Sequence, residues 1–308
     1  MHTVLMALTP VLMLIATGWA IANYKMISAD GWRPMETLCY WLLFPAVLFT
    51  SVSDADFASL DLGSYAIGLY GTLALLCVIL VPTGVLLRHQ LEVSGPAFSS
   101  IFQGTTRWNA FIALAIVSNI LADEGWTLIA ITMALLIPVM NVLSITMMTF
   151  YASSNALSIK ALVMGIVKNP FIISIGAGLI VNVTGLDLPG FIEDYAEFLG
   201  RAALPLAILS VGAAIDMKSL RKPGPRLLIG CLLRLVVAPA IALAVATLLG
   251  LGSNATIALV IAFAVPTAAA SYVLARQMGG DATLMAELLA LQTLASAVTV
   301  PLWLLLLV

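Results

Sequence analysis

The chain has 308 residues, 62% of them apolar and 9% charged, with a net charge of −2 and a mean hydropathy of +1.12. A soluble domain carries roughly 25% charged residues, so the composition excludes a water-exposed globule, and thirteen Lys and Arg without a basic stripe argue against nucleic acid as a partner. Cys39, Cys77 and Cys231 each stand alone in an apolar stretch, with no CxxC and no neighbouring His pair, so neither a disulfide framework nor a metal site is expected.

In chain order, apolar runs bounded by charge or Gly/Pro clusters cover 3–22, 36–53, 63–87, 96–121, 125–151, 159–183, 191–215, 226–249, 254–278 and 282–308. Each is long enough for a helix across a core of ~30 Å, and none shows the alternation of a barrel strand. The expected fold class is an all-α membrane protein of about ten transmembrane helices in a lipid bilayer. The first run lacks a basic leader and a cleavage site, and is read as a retained helix.

The connections set an orientation. Lys25, Arg33, Arg88, Lys160, Lys168, Lys218, Arg221, Lys222, Arg226 and Arg276 all fall on one side, whereas the opposite connections hold Asp54, Asp56, Asp61, Asp123, Glu124, Asp187, Glu193 and Asp194. The basic side is expected to be cytoplasmic, with both termini non-cytoplasmic and the chain in the plasma (inner) membrane.

Ten spans divide into two sets of five, 1–155 and 156–308, and an odd number per set inverts the second relative to the first. FPAVLFTSVSDAD from Phe44 matches LPLAILSVGAAID from Leu204, pairing Pro45 with Pro205 and Asp56 with Asp216. Inverted repeats of this kind place a site at the midplane.

Three arginines lie inside the runs, and each needs a partner or a task in lipid. Arg201 follows Glu193 and Glu197 at helical spacing and is expected to pair with them. Arg234 is expected to snorkel toward the headgroups at a helix end or to bridge to a neighbouring helix. Arg107 differs, because it sits mid-span in Gln103-Gly104-Thr105-Thr106-Arg107-Trp108-Asn109 with no acidic residue nearby in sequence. A guanidinium there suits a ligand carboxylate; the bland alternative is neutralisation by a carboxylate on another helix, Glu287 above all. The ninth run carries Pro266 followed by Thr267, Ser271 and Tyr272, and a proline break inside a span is tolerated where it lines a cavity. Pro138 and Asn141, Asn169-Pro170 and Gln292 are smaller signals whose default reading is hydrogen bonding between helices.

These residues resemble the auxin efflux carrier family, particularly its bacterial, malonate-transporter-like members. The likeness rests on the Pro45 motif, Arg107-Trp108-Asn109, Pro138 to Val142, Asn169-Pro170, Leu204 to Ala207, and Val265-Pro266 leading to Tyr272 and Arg276. It implies two inverted five-helix repeats with broken, crossing fourth and ninth helices, and a substrate carboxylate held at Asn109. Plant members have proline before that Asn; Trp108 preceded by Arg107 here points to a ligand more anionic than indole-acetic acid.

The expected function is therefore a secondary carrier of a small organic anion, a mono- or dicarboxylate, working by alternating access. The candidate substrate-binding set is Arg107, Asn109, Gln103, Thr105, Thr106, Pro266, Thr267, Ser271, Tyr272, Asn141 and Phe44, with Glu287 and Gln292 as candidates for ion coupling. No cofactor is expected beyond sodium or a proton as coupling ion, and a homodimer is allowed. An anion receptor and a channel are the rival readings; an enzyme is not expected, since both His lie near span edges and no paired Asp sits at mid-depth, and without a Walker sequence any energy must come from an ion or substrate gradient.

Overall fold

The computed structural model describes residues 2–54, 61–90, 92–152, 167–168, 170–215, 223–268 and 270–307. Asp56, Asp216, Lys160, Lys218, Arg221, Lys222 and Asn169 lie outside the described residues, and with them the Asp56–Asp216 match and part of the loop-charge pattern.

The described elements are all helical. They are α1 (His2–Asn23), α2 (Ala29–Leu38), α3 (Phe44–Ser53), α4 (Leu62–Gln90), α5 (Gly95–Thr106), α6 (Ala110–Tyr151), α7 (Pro170–Thr184), α8 (Gly190–Ala213), α9 (Pro225–Leu232), α10 (Ala238–Leu249), α11 (Ser253–Ala264), α12 (Ala270–Met278) and α13 (Ala282–Leu307). Two π-helical turns, Cys39–Leu43 and Leu233–Val237, join α2 to α3 and α9 to α10, each with a proline at the start of the following helix. Among the described residues, six stretches are long and apolar enough to cross a membrane: Asp30–Ser53, Leu62–Gly84, Gly95–Tyr151, Gly190–Ala213, Pro225–Leu249 and Ala282–Leu307. Thr9–Asn23, Pro170–Thr184 and Ser253–Ala264 are shorter apolar helices.

The second span begins earlier than its apolar run. Ser28 precedes α2, and Asp30 and Arg33 lie within that helix rather than in a connection. Polar turns extend the helix beyond its apolar centre, where a hydropathy count stops too soon.

A straight α6 of 42 residues would reach about 63 Å at 1.5 Å per residue, twice the hydrocarbon core. It is not straight. Ala122 leaves the helical region (φ 49°, ψ −129°), and a Cβ on Gly125 would stand 2.5 Å from the Val117 carbonyl oxygen. Residues eight apart are about 12 Å apart along a straight helix, so the chain reverses at Ala122 into a helical hairpin, at the 121/125 break that the sequence gives.

The chain forms two compact units, each assembled from segments distant in sequence. One comprises Met1–Asp61, Leu114–Ala134 and Ile159–Ala214; the other comprises Leu62–Ala113, Leu135–Ser158 and Ile215–Val308.

In the first unit, α3 packs on α7 and α8, and α1 on α8. Backbones meet closely there: a Cβ on Gly18 would overlap the Leu209 carbonyl, one on Gly212 would overlap that of Ile15, and one on Gly178 would come within 2.7 Å of Phe49 O. Small residues are what permit such approach in membrane helices, where packing rather than hydrophobic transfer drives association. Asn182 Nδ2 donates to the Ser53 carbonyl at 2.8 Å, tying α7 to the end of α3. Arg201 pairs with Glu197 at 2.6 Å, both side chains being largely exposed.

In the second unit, α10 packs on α4 and α11, and α13 on α5 and α11. The Phe98 ring lies over Gly84, where any Cβ would overlap it, and meets the Tyr151 ring edge-on at 5.0 Å. Trp303 Nε1 donates to Leu235 O at 2.9 Å, satisfying a carbonyl of the second π-helical turn.

Candidate functional site

Two helices of the second unit stop inside their apolar runs. The N-terminus of α5 is fixed by Ser94, whose hydroxyl accepts from Ala97 N–H at 3.3 Å, with Pro96 in the first turn. The helix ends at Thr106 because Arg107 is extended (φ −72°, ψ 153°), its N–H still bonded to Gln103 O. Asn109 then opens α6: its Oδ1 accepts from the N–H groups of Phe111 and Ile112, both at 3.2 Å, the geometry of an N-cap.

The second interruption repeats the first. Like α5, α11 has 12 residues, and it begins at 253 against 95 and ends at 264 against 106, an offset of 158 at both ends. Val265 is extended (φ −71°, ψ 155°) with its N–H on Ile261 O. Pro266, lacking an N–H, cannot continue the ladder, and helix resumes at Ala270.

The two interruptions meet through main chain, since Asn109 N–H donates to Pro266 O at 2.8 Å. Around this bond the sequence candidates sort themselves. Thr105 and Thr106 are wholly buried, but their hydroxyls donate back to Ile101 and Phe102 carbonyls at 2.9 Å. Gln103 is buried with Nε2 on Met148 Sδ at 3.6 Å, while its Oε1 has no partner among the described residues. Thr267 and Ser271, both buried, share a hydroxyl contact of 3.2 Å. Arg107 and Tyr272 are half-buried.

Three other candidates lie on α3, α6 and α13. Phe44 belongs to the first unit, where it is fully buried with its ring 6.2 Å from that of Phe171. Asn141 is half-buried on the 135–151 arm of α6, and Glu287 half-buried on α13. Ser144, on the same arm as Asn141, has a buried hydroxyl without a partner among the described residues.

Gln292 serves both interruptions. Its Oε1 accepts from Thr267 N–H at 2.9 Å, and its Nε2 donates to Gly104 O at 3.1 Å and Gly230 O at 3.3 Å. Its polar atoms are thus committed to backbone.

Of the two expectations for Arg234, bridging to neighbouring helices is the one found. Instead of snorkelling at a helix end it has no exposed surface: Nε donates to Val265 O at 2.7 Å, Nη1 to Thr105 O at 3.0 Å and Nη2 to Ala262 O at 2.8 Å. Helix C-termini leave carbonyls without intrahelical donors, and a planar fork of donors fits several at once. The expected position at the membrane edge took account of sequence distance alone. The available signal was an arginine inside an apolar run while two broken helices needed donors.

The second unit thus presents two interrupted helices whose extended segments are bonded to each other, with hydroxyl, amide and guanidinium groups gathered at the breaks. Residues 3–304 match the family described as membrane transport protein. No curated protein sequence matches the chain. The long apolar helices and a match over almost its whole length identify the chain as an integral membrane protein of the auxin efflux carrier family of membrane transporters.

Proposed function

We propose that the protein is a secondary carrier that moves a small organic anion, a mono- or dicarboxylate, by alternating access. The observation that carries this reading is the bond between Asn109 N–H and Pro266 O, which brings two helix interruptions together in one compact unit. Irregular backbone at membrane depth is tolerated where it lines a cavity, and half-helix N-termini there favour anionic groups. Asn109 stands at such an N-terminus, with Arg107 beside it in sequence. In this reading Asn109 Nδ2 and the Arg107 guanidinium receive the carboxylate, while Thr267, Ser271 and Tyr272 complete the site.

The same reading takes the chain as ten spans in two inverted sets of five. The matched length, offset and C-terminal geometry of α5 and α11 support a duplication.

Counterflow of labelled malonate in proteoliposomes tests the function. Saturable counterflow is expected, and Arg107→Ala should abolish it. Binding without counterflow would make the protein a receptor, and non-saturable flux a channel. Intact counterflow in Arg107→Ala would sink the site assignment.

A further inference from the structure

Arg234 is a full positive charge without surface exposure, inside a membrane-spanning stretch, and no carboxylate pairs with it among the described residues. A buried charge in that condition is costly unless something else compensates it. Its partners are Thr105 O in the last turn of α5, and Ala262 O and Val265 O at the end of α11. Each helix C-terminus carries roughly half a negative elementary charge, so two of them together balance one guanidinium. The π-helical turn Leu233–Val237 contains Arg234, and an extra residue in a helix re-aims the side chains of that turn.

In carriers built on broken helices, converging half-helix C-termini and unwound carbonyls are where a coupling cation is coordinated. Here those carbonyls are occupied by a side chain. We propose that Arg234 is a resident cation at the convergence of α5 and α11, standing in the place of a coupling sodium, so that transport of the anion is sodium-independent. The transport half of this proposal rests on the carrier reading above; the structural half does not.

Thermal unfolding of the purified protein tests the structural half. Wild type should melt at the same temperature in sodium chloride and in choline chloride. Arg234→Ala should melt lower and recover in millimolar guanidinium chloride, which should not raise the wild-type value. Arg234→Lys should melt above Arg234→Met, because charge rather than bulk is needed. Stabilisation of the wild type by sodium, indifference of Arg234→Ala to guanidinium, or Arg234→Met as stable as wild type would each overturn the proposal.

Wild-type counterflow tests the rest and needs no variant. Equal rates in sodium and choline are expected, and loss of counterflow on sodium removal would refute sodium independence. If no carboxylate shows counterflow in either salt, the carrier reading fails while the melting comparison still decides the role of Arg234.

Discussion

The main-chain N–H of Asn109 donates to the carbonyl of Pro266 while its side-chain Oδ1 caps the first turn of α6. One residue therefore joins the two interruptions and starts a helix. Its two side-chain roles separate by substitution. Asn109→Ala should lose about 1 kcal/mol of stability through the cap. Asn109→Asp keeps the capping oxygen, so its melting temperature should stay close to wild type, but it sets a negative charge against the proposed carboxylate. Juxtaposed like charges cost several kcal/mol, and counterflow should fall by more than about tenfold. An Asn109→Asp variant with full counterflow would remove this residue from the site.

Gln292→Leu should be strongly destabilising. It strands Thr267 N–H and the Gly104 and Gly230 carbonyls together, and each buried unpaired group costs roughly 1–3 kcal/mol. A loss of at least about 2 kcal/mol is expected by thermal or denaturant unfolding. A loss under about 0.5 kcal/mol would mean that water or relaxed backbone takes over these bonds.

Glycine positions give a paired comparison. Gly212→Val drives side-chain atoms into the Ile15 carbonyl, whereas a Cβ on Gly176 meets nothing within 4 Å. Overpacking costs typically about 1–3 kcal/mol, while Gly→Ala inside a helix gains roughly 0.5–1 kcal/mol. Gly212→Val should melt well below wild type and Gly176→Ala at or above it, and the reverse order would contradict the packing of α1 on α8.

Ala122→Gly should stabilise the protein. A positive φ of 49° with ψ −129° is a conformation open mainly to glycine, and holding another residue there costs on the order of 1–3 kcal/mol. Relief of that strain, net of the extra chain entropy of glycine, should appear as a higher melting temperature. A lower one would show that α6 runs on without a reversal.

Orientation is tested with a reporter fused after Val308. The charge bias of the connections predicts a non-cytoplasmic signal, and a cytoplasmic signal would invert the topology.

What was legible in the sequence depended on how local the physics was. The six stretches long enough to cross a membrane fall on runs of apolar residues, and the interruptions at Arg107 and Pro266 follow from polarity and proline and appear where the sequence places them. The Ala122 reversal likewise falls between two runs. The partners of Arg234 and Gln292 do not follow in this way. They are main-chain groups 25 to 188 positions away, and every residue has a main chain, so no residue type marks them. The same holds for the polar start of α2, where charge masked helix. The Pro45–Pro205 match captured composition, yet Pro45 follows a π-helical turn while Pro205 lies inside α8.

The contacts of α1 with α8 pair Ile15 with Gly212 and Gly18 with Leu209. As one number rises by three the other falls by three, so the helices run antiparallel in fixed register. Sliding by one turn, about 5.4 Å, would bring Leu14 or Ala22 against the Leu209 carbonyl in place of Gly18, and neither fits a gap that excludes even one carbon. The notches work as a ratchet with a single tooth position, and lipid chains have no slot to enter between the two backbones.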